Sequence, residues 1–173
     1  MDCQGLHVRF KVVPEPPTSI GVIDEFHAAL PLVPANEDTC CARLVARTPV
    51  DARDRAREWL TFLRALELVE ETDDGYRRLR TDSDLEGRRR AFRERVYLVE
   101  EVLDAIKSAD EPLPAETVFA GVETYIPAWE RLRHDDPGRI WRDRVARMLE
   151  WGVRFDLLER VETGYVVTEI ETV

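Results

Sequence analysis

Apolar and polar positions alternate over 7–13, HVRFKVV, which predicts a short strand, and PEPP then predicts an extended arm. From residue 20 the apolar positions change to helical spacing. Ile20, Ile23, Phe26 and Leu30 share a face, and Thr18 or Ser19 can cap that helix. Pro31 and Pro34 end it, and a second helix is predicted over 38–47 with Cys40, Leu44 and Val45 inward. Thr48-Pro49 stops the second helix. A third starts near Asp51, with Ala56, Trp59, Leu60, Leu63 and Leu66 as its buried stripe. Leu68-Val69 begins a strand, Thr72-Asp73-Asp74-Gly75 signals a tight hairpin, and residues 76–79 return. Residues 80–90, RTDSDLEGRRR, contain no core position and read as a boundary. One long helix is expected over 90–108, with Val96, Val99, Val102, Leu103 and Ile106 inward. Pro112 and Pro114 interrupt before a helix over 115–125. Residues 127–138 read as an insertion ending in an exposed turn, His134 to Gly138. A last helix over 140–155 precedes strands over 157–161 and 165–170.

The order helix, helix, helix, strand, turn, strand therefore occurs twice, and the two copies are related in sequence. Residues 51–79 lie over 140–168 at a constant offset of 89 without a gap. Arg53, Asp54 and Arg55 fall on Arg142, Asp143 and Arg144. Leu60 falls on Leu149, Leu68 on Leu157, Glu70 on Glu159, and Gly75-Tyr76 on Gly164-Tyr165. Trp59 with Met148, Phe62 with Trp151, Leu66 with Phe155 and Val69 with Leu158 keep apolar character. On these residues the chain resembles tandem winged helix-turn-helix proteins, in particular haloarchaeal DNA-binding regulators. The resemblance implies a mainly α fold with small β-wings. Two tandem winged helix-turn-helix domains, 18–82 and 90–170, would be joined by a polar linker and the long helix. It also implies that a third helix enters the major groove while its wing touches the backbone or minor groove.

The 173 residues are 44% apolar, enough to bury a core. No apolar run approaches the ~18 residues of a membrane span. The opening MDCQGLHVRFKVV lacks the order of a signal peptide, so a cytoplasmic protein is expected. Formal net charge is −10, from 35 acids against 25 basic residues, and only Lys11 and Lys107 among the basic residues are lysines. This balance resembles that of salt-adapted archaea, in which carboxylates hold a hydrated surface. It counts against nucleic-acid binding at low salt and counts less where salt screens every charge. Cys3, Cys40 and Cys41 show no metal-ligand spacing and read as reduced thiols.

Arg53, Arg57 and Arg64 lie on one face of the third helix, Arg77 and Arg78 in the first wing, and Arg88, Arg89 and Arg90 in the segment between the copies. Long guanidinium donors in such places reach phosphate oxygens or the O6 and N7 edge of guanine. These eight are the expected contacts to double-stranded DNA. Asp51, Asp54 and Glu58 are interleaved with the helix arginines and support the competing reading of a solvated, self-paired face. In copy two Arg57 becomes Ala146, Arg64 becomes Val153, and Arg77-Arg78 become Val166-Val167, two valines expected to pack. That copy is expected to associate, as a homodimer or with a protein partner, through Trp129 in the insertion and Trp141 near its helix start. No phosphate loop, nucleophile elbow or metalloprotease motif is present, so neither an enzyme nor a cofactor is expected. The leading reading is a non-enzymatic transcription regulator. The alternative is a winged-helix interaction module, a scaffold subunit of a transcription, replication or chromosome-organising assembly that does not read DNA. A continuous positive stripe favours the first, and broken charge with an apolar patch favours the second.

Overall fold

The computed structural model of the protein describes residues 10–80 and 84–168. The part of the first expected strand before Phe10, residues 81–83 of the polar segment, and the end of the last strand lie outside them. The chain divides into two compact units between Tyr97 and Leu98.

The first unit holds α1 (Val22–Ala29), α2 (Glu37–Arg47), α3 (Arg53–Ala65), β1 (Val69–Thr72), β2 (Gly75–Arg78) and α4 (Leu85–Arg95). α1 buries Ile23, Phe26 and Ala29. α2 is capped by Asn36, whose side chain accepts the Thr39 N–H at 2.8 Å. Cys40 and Cys41 are both buried, and burial pushes both thiols up. Val45, expected inward, is instead exposed, because Cys41 takes the inward position beside Leu44. α3 carries the core: its Trp59 ring stacks on Phe26 with centroids 3.9 Å apart and meets Phe62 edge-on. Such ring pairs contribute about 0.5–1.5 kcal/mol beyond the area they bury.

α3 ends where Glu67 turns into the left-handed region at φ 62° and aims the chain into β1. β1 and β2 pair antiparallel, Val69 with Arg78 and Thr72 with Gly75, and Ala35 adds a bridge to Tyr76. Gly75 is required twice over. Its φ is 126°, and a Cβ there would run into the Ala35 carbonyl.

The expected long helix is two helices. α4 ends at Arg95, Val96 is extended, and Leu98 has φ 80° before α5 (Val99–Lys107) begins the second unit. The cause is Phe10, which forms a parallel bridge with Val96. Its N–H donates to the Arg95 carbonyl at 2.7 Å, and its carbonyl accepts the Tyr97 N–H at 2.8 Å. Those bonds hold the Val96 segment in an extended form that a continuous helix cannot adopt.

The second unit continues with α6 (Ala115–Val122), a 3₁₀ turn (Glu123–Tyr125), α7 (Ala128–Arg133), α8 (Pro137–Arg154), β3 (Leu158–Val161) and β4 (Gly164–Val167). The wing repeats the first: Leu158 pairs with Val167 and Val161 with Gly164, Leu113 bridges Tyr165, and Gly164 has φ 149° with no room for a Cβ beside Leu113. Asp156 at φ 56° repeats the Glu67 turn. Tyr76 and Tyr165 are 89 apart, whereas their bridge partners Ala35 and Leu113 are 78 apart, so copy two holds eleven additional residues between bridge and wing. They are not a loop. They form α7 and lengthen α8, which starts at Pro137 with Asp136 as its cap rather than near Ile140.

Candidate nucleic-acid interface

α3 and the β1–β2 wing form the expected recognition elements, but the arginines they carry are already engaged. Arg57 Nε lies 2.6 Å from Glu37, and Arg53 pairs with Asp38. Both acids sit in the first turn of α2, where a helix N-terminus favours negative charge. Arg64 donates to Glu71 at 2.6 Å, and its guanidinium lies over the rings of Phe10 and Tyr76 at 5.3 and 5.2 Å. Arg77 pairs with Glu70, its partner in strand register. Exposed pairs of this kind are worth about 0–1 kcal/mol each, so a phosphate can displace them.

The eight predicted contacts do not form one stripe. Arg53 and Arg57 face α2, while Arg64 and Arg77 face β1. Arg78 and Arg88 are corrections. Arg78 turns inward and donates to the Ala28 carbonyl at 3.2 Å, with its Nε buried. Arg88 is mostly covered and pairs with Asp24 of α1 at 2.6 Å, anchoring α4. Arg89 is half-buried in α4, and Arg90 is exposed one position on. Arg80 ends the first wing among its candidate arginines, and Arg55 is a further candidate that sequence reasoning missed. Both are exposed and hold no ion pair among the described residues. The repeated Arg-Asp-Arg at the helix start was the available signal for Arg55. Residues 53–80 contain seven arginines and seven acids, so α3 with its wing is electrically balanced.

Copy two is built differently at the same positions. Arg142 lies 3.4 Å from Glu116 and over the Phe119 ring. Arg144 stacks on Trp141 at 4.7 Å and lies 3.7 Å from Glu130, a carboxylate that is 2% exposed. His134 Nε2 is 3.3 Å from the same carboxylate, so the expected exposed turn is anchored at its first residue, while Asp135 and Asp136 are exposed. Trp141, expected at a contact surface, is fully buried. α8 begins a turn earlier than predicted, which places this ring under the helix rather than at its start. Trp129 is 51% exposed. Val166 and Val167 are half-buried in β4.

Each wing is clamped to its helix, with exchanged signs. In copy one a helix cation, Arg64, meets a strand anion, Glu71, beside Tyr76. In copy two the helix supplies the anion. Glu150 accepts from Tyr165 Oη at 2.6 Å and from Arg154 and Arg160 at 2.9 Å each. Glu71 and Arg160 are equivalent at the offset of 89. Burial works to raise the Glu150 carboxyl, but the Tyr165 and Arg154 hydrogen bonds and the two guanidinium charges outweigh it and leave the group below its ordinary value. Burial, and then the Glu150 bond, push the Tyr165 phenol up to about 12.

Among the described residues, no group of three or more His, Cys, Asp and Glu could hold a metal ion, and no helix is long and apolar enough to cross a membrane. No curated protein and no solved structure matches the chain. The halobacterial double winged helix domain matches residues 8–172, nearly the whole sequence. Two helix-and-wing units in one chain agree with that description, and the chain belongs to the halobacterial double winged helix domain family.

Proposed function

We propose that the protein is a non-enzymatic, cytoplasmic DNA-binding regulator that reads double-stranded DNA through copy one. The observation that carries this reading is a difference between the copies. In the first turns of α3, Arg53, Arg55 and Arg57 are each exposed, whereas in copy two the equivalents are Arg142, Arg144 and Ala146, and Arg144 is tied down against Trp141 and Glu130. A winged-helix recognition helix approaches the groove with such residues. Arg77 and Arg80 extend the contact into the wing.

The balanced charge sets how such a site works. At low salt it offers little long-range attraction. In the molar salt that a halobacterial protein meets, the Debye length falls to about 3 Å and long-range repulsion disappears. Contacts then decide, and guanidinium groups exchange carboxylate partners for phosphates. Arginine–phosphate pairs position the helix, and base contacts select the site.

The test is fluorescence anisotropy with labelled duplex DNA in molar KCl. Arg53→Ala/Arg55→Ala/Arg57→Ala should weaken binding by about tenfold or more, and Arg142→Ala/Arg147→Ala should leave it unchanged. Equal affinity of the first variant and the wild type would remove the basis for the reading. The neutralised face supports a second reading, a protein-interaction module. DNA binding absent at every salt concentration would favour it.

A further inference from the structure

The corner between α3 and its wing borders an open cavity of about 700 Å³ in the first unit. Three features of the chain build it. Glu67 turns the end of α3 into β1 at φ 62°, α4 stops at Arg95, and Phe10 is bridged to the extended Val96. Phe10, Val69 and Leu79 supply apolar wall, and Arg64, Arg80 and Arg95 supply cations. A single space of this size lies in the range of small-molecule sites, about 300–1,000 Å³, and is far larger than a bare ion needs. The cation set is specific to copy one, since at the offset of 89 Arg64 and Arg80 correspond to Val153 and Glu169.

The charges around the cavity select its occupant. Three carboxylates also line it. Glu70 is paired with Arg77, which lies outside the lining. Glu71 takes one donor of Arg64 at 2.6 Å, and Glu67 lies 3.5 Å from Arg95, a loose pair. Arg80 holds no ion pair among the described residues. With Glu70 neutralised by Arg77, three guanidiniums face two carboxylates, an excess of one positive charge. A guanidinium has about five N–H donors, so Arg64 and Arg95 keep donors beyond their present pairs. Both are also oriented, lying 5.3 and 5.4 Å from the centre of the Phe10 ring. Planar forks held at an apolar wall match a carboxylate attached to an apolar body, because its two oxygens accept in parallel.

We infer that this cavity is a binding site for a small organic monocarboxylate with an apolar body, its carboxylate held by Arg64, Arg80 and Arg95 and its body laid against Phe10, Val69 and Leu79. Arg80 is shared with the proposed DNA contacts. Ligand uptake is measured without DNA, so the inference stands or falls apart from that reading.

The experiment is a ligand-observed NMR titration of the full chain in molar KCl, where chloride competes throughout. Phenylacetate and hexanoate are the probes. Phenylethanol, which lacks the charge, and inorganic phosphate, which lacks the apolar body, are the controls. The expected result is saturable binding of both carboxylates, about tenfold or more tighter than either control. Arg80→Gln and Arg95→Gln should each weaken carboxylate binding by about tenfold. Glu67→Gln removes the anion beside Arg95 and should tighten binding by about two- to fivefold, a change that loss of folding cannot imitate. Carboxylates that do not bind, a control that binds as tightly, arginine variants that bind like wild type, or a Glu67→Gln variant that binds no better would overturn the inference.

Discussion

Pre-paired arginines should leave a signature in the salt dependence of DNA binding. Each phosphate contact made by an unpaired cation contributes about −0.9 to the slope of log K against log salt, so the five proposed contacts would give about −4.5 if all were unpaired. Three of the five hold carboxylates instead: Arg53 with Asp38, Arg57 with Glu37 and Arg77 with Glu70. When a phosphate displaces a carboxylate, the DNA releases a cation and the freed carboxylate takes one up, so the contribution nearly cancels. Arg55 and Arg80 remain, and the slope should be about −2. Over a tenfold rise in salt this is a loss of about 10² in affinity, where five unpaired contacts would lose more than about 10⁴. Anisotropy titrations of labelled duplex between roughly 0.2 and 2 M KCl cover the range needed. Glu37→Gln/Asp38→Asn sharpens the test. It removes the partners of Arg57 and Arg53 at a cost to α2 of about 0.3–1 kcal/mol per charge, and should tighten binding while steepening the slope by about 2. A wild-type slope near about −4.5, or a slope unchanged by that variant, would refute the exchange mechanism.

The copy-two clamp should show in stability against pH. Glu150 is depressed when folded, so its contribution is complete above the ordinary carboxylate range near ~4.3 and is lost as pH falls through the lower folded value. Tyr165 is raised to about 12, so its contribution is complete below ~10 and disappears as pH rises from there toward about 12. Solvent screening of this half-exposed phenol limits the second effect to about 1 kcal/mol. Urea titrations of Glu150→Gln should show a loss of about 1–3 kcal/mol near neutrality and a weaker alkaline loss, and unchanged curves would dismiss the clamp. Gly75→Ala and Gly164→Ala should each cost about 2 kcal/mol or more, because both glycines combine positive φ with contact against a bridging strand. Thermal unfolding within ~0.5 kcal/mol of wild type for either would mean the wings are not held as described.

What was legible in the sequence was whatever is encoded locally. The α3 and α8 stripes and the Asp-Gly and Thr-Gly wings follow from periodicity and from glycine, and they survive intact. Val96 fits a helical stripe as well as any residue in 90–108, and only its bond with Phe10, far away in the chain, takes it out of helix. Asp136-Pro137 carries both a turn signal and a helix-start signal. The second prevails because Asp136 can cap α8, and the shifted start is what buries Trp141. The exposure of the α3 arginines was readable, while their pairing with Glu37 and Asp38 was not, since it depends on how α2 is laid across α3. The burial of Glu130 has no local signal at all. Its sequence neighbours are charged or aromatic, and only Arg144 and His134 make the position tolerable for a carboxylate.

The exchanged clamp explains why the two copies should not share a task. A wing needs one helix residue to hold it, and either sign serves as long as the strand supplies the opposite one. The choice of sign has a consequence on the outer surface, however. In copy one the helix keeps the cation, Arg64, and the carboxylate Glu71 is placed on the wing. In copy two the helix keeps the carboxylate, Glu150, one turn before the position that corresponds to Arg64, and it takes both Arg154 and Arg160 to neutralise it. A helix entering a groove meets phosphates on both flanks, so an anion fixed on it, with its balancing guanidiniums spent on the clamp, is unfavourable where a cation is useful. On the proposed reading copy two is thereby the poorer groove reader, and it is also the copy that carries the eleven-residue insertion and its exposed apolar side chains.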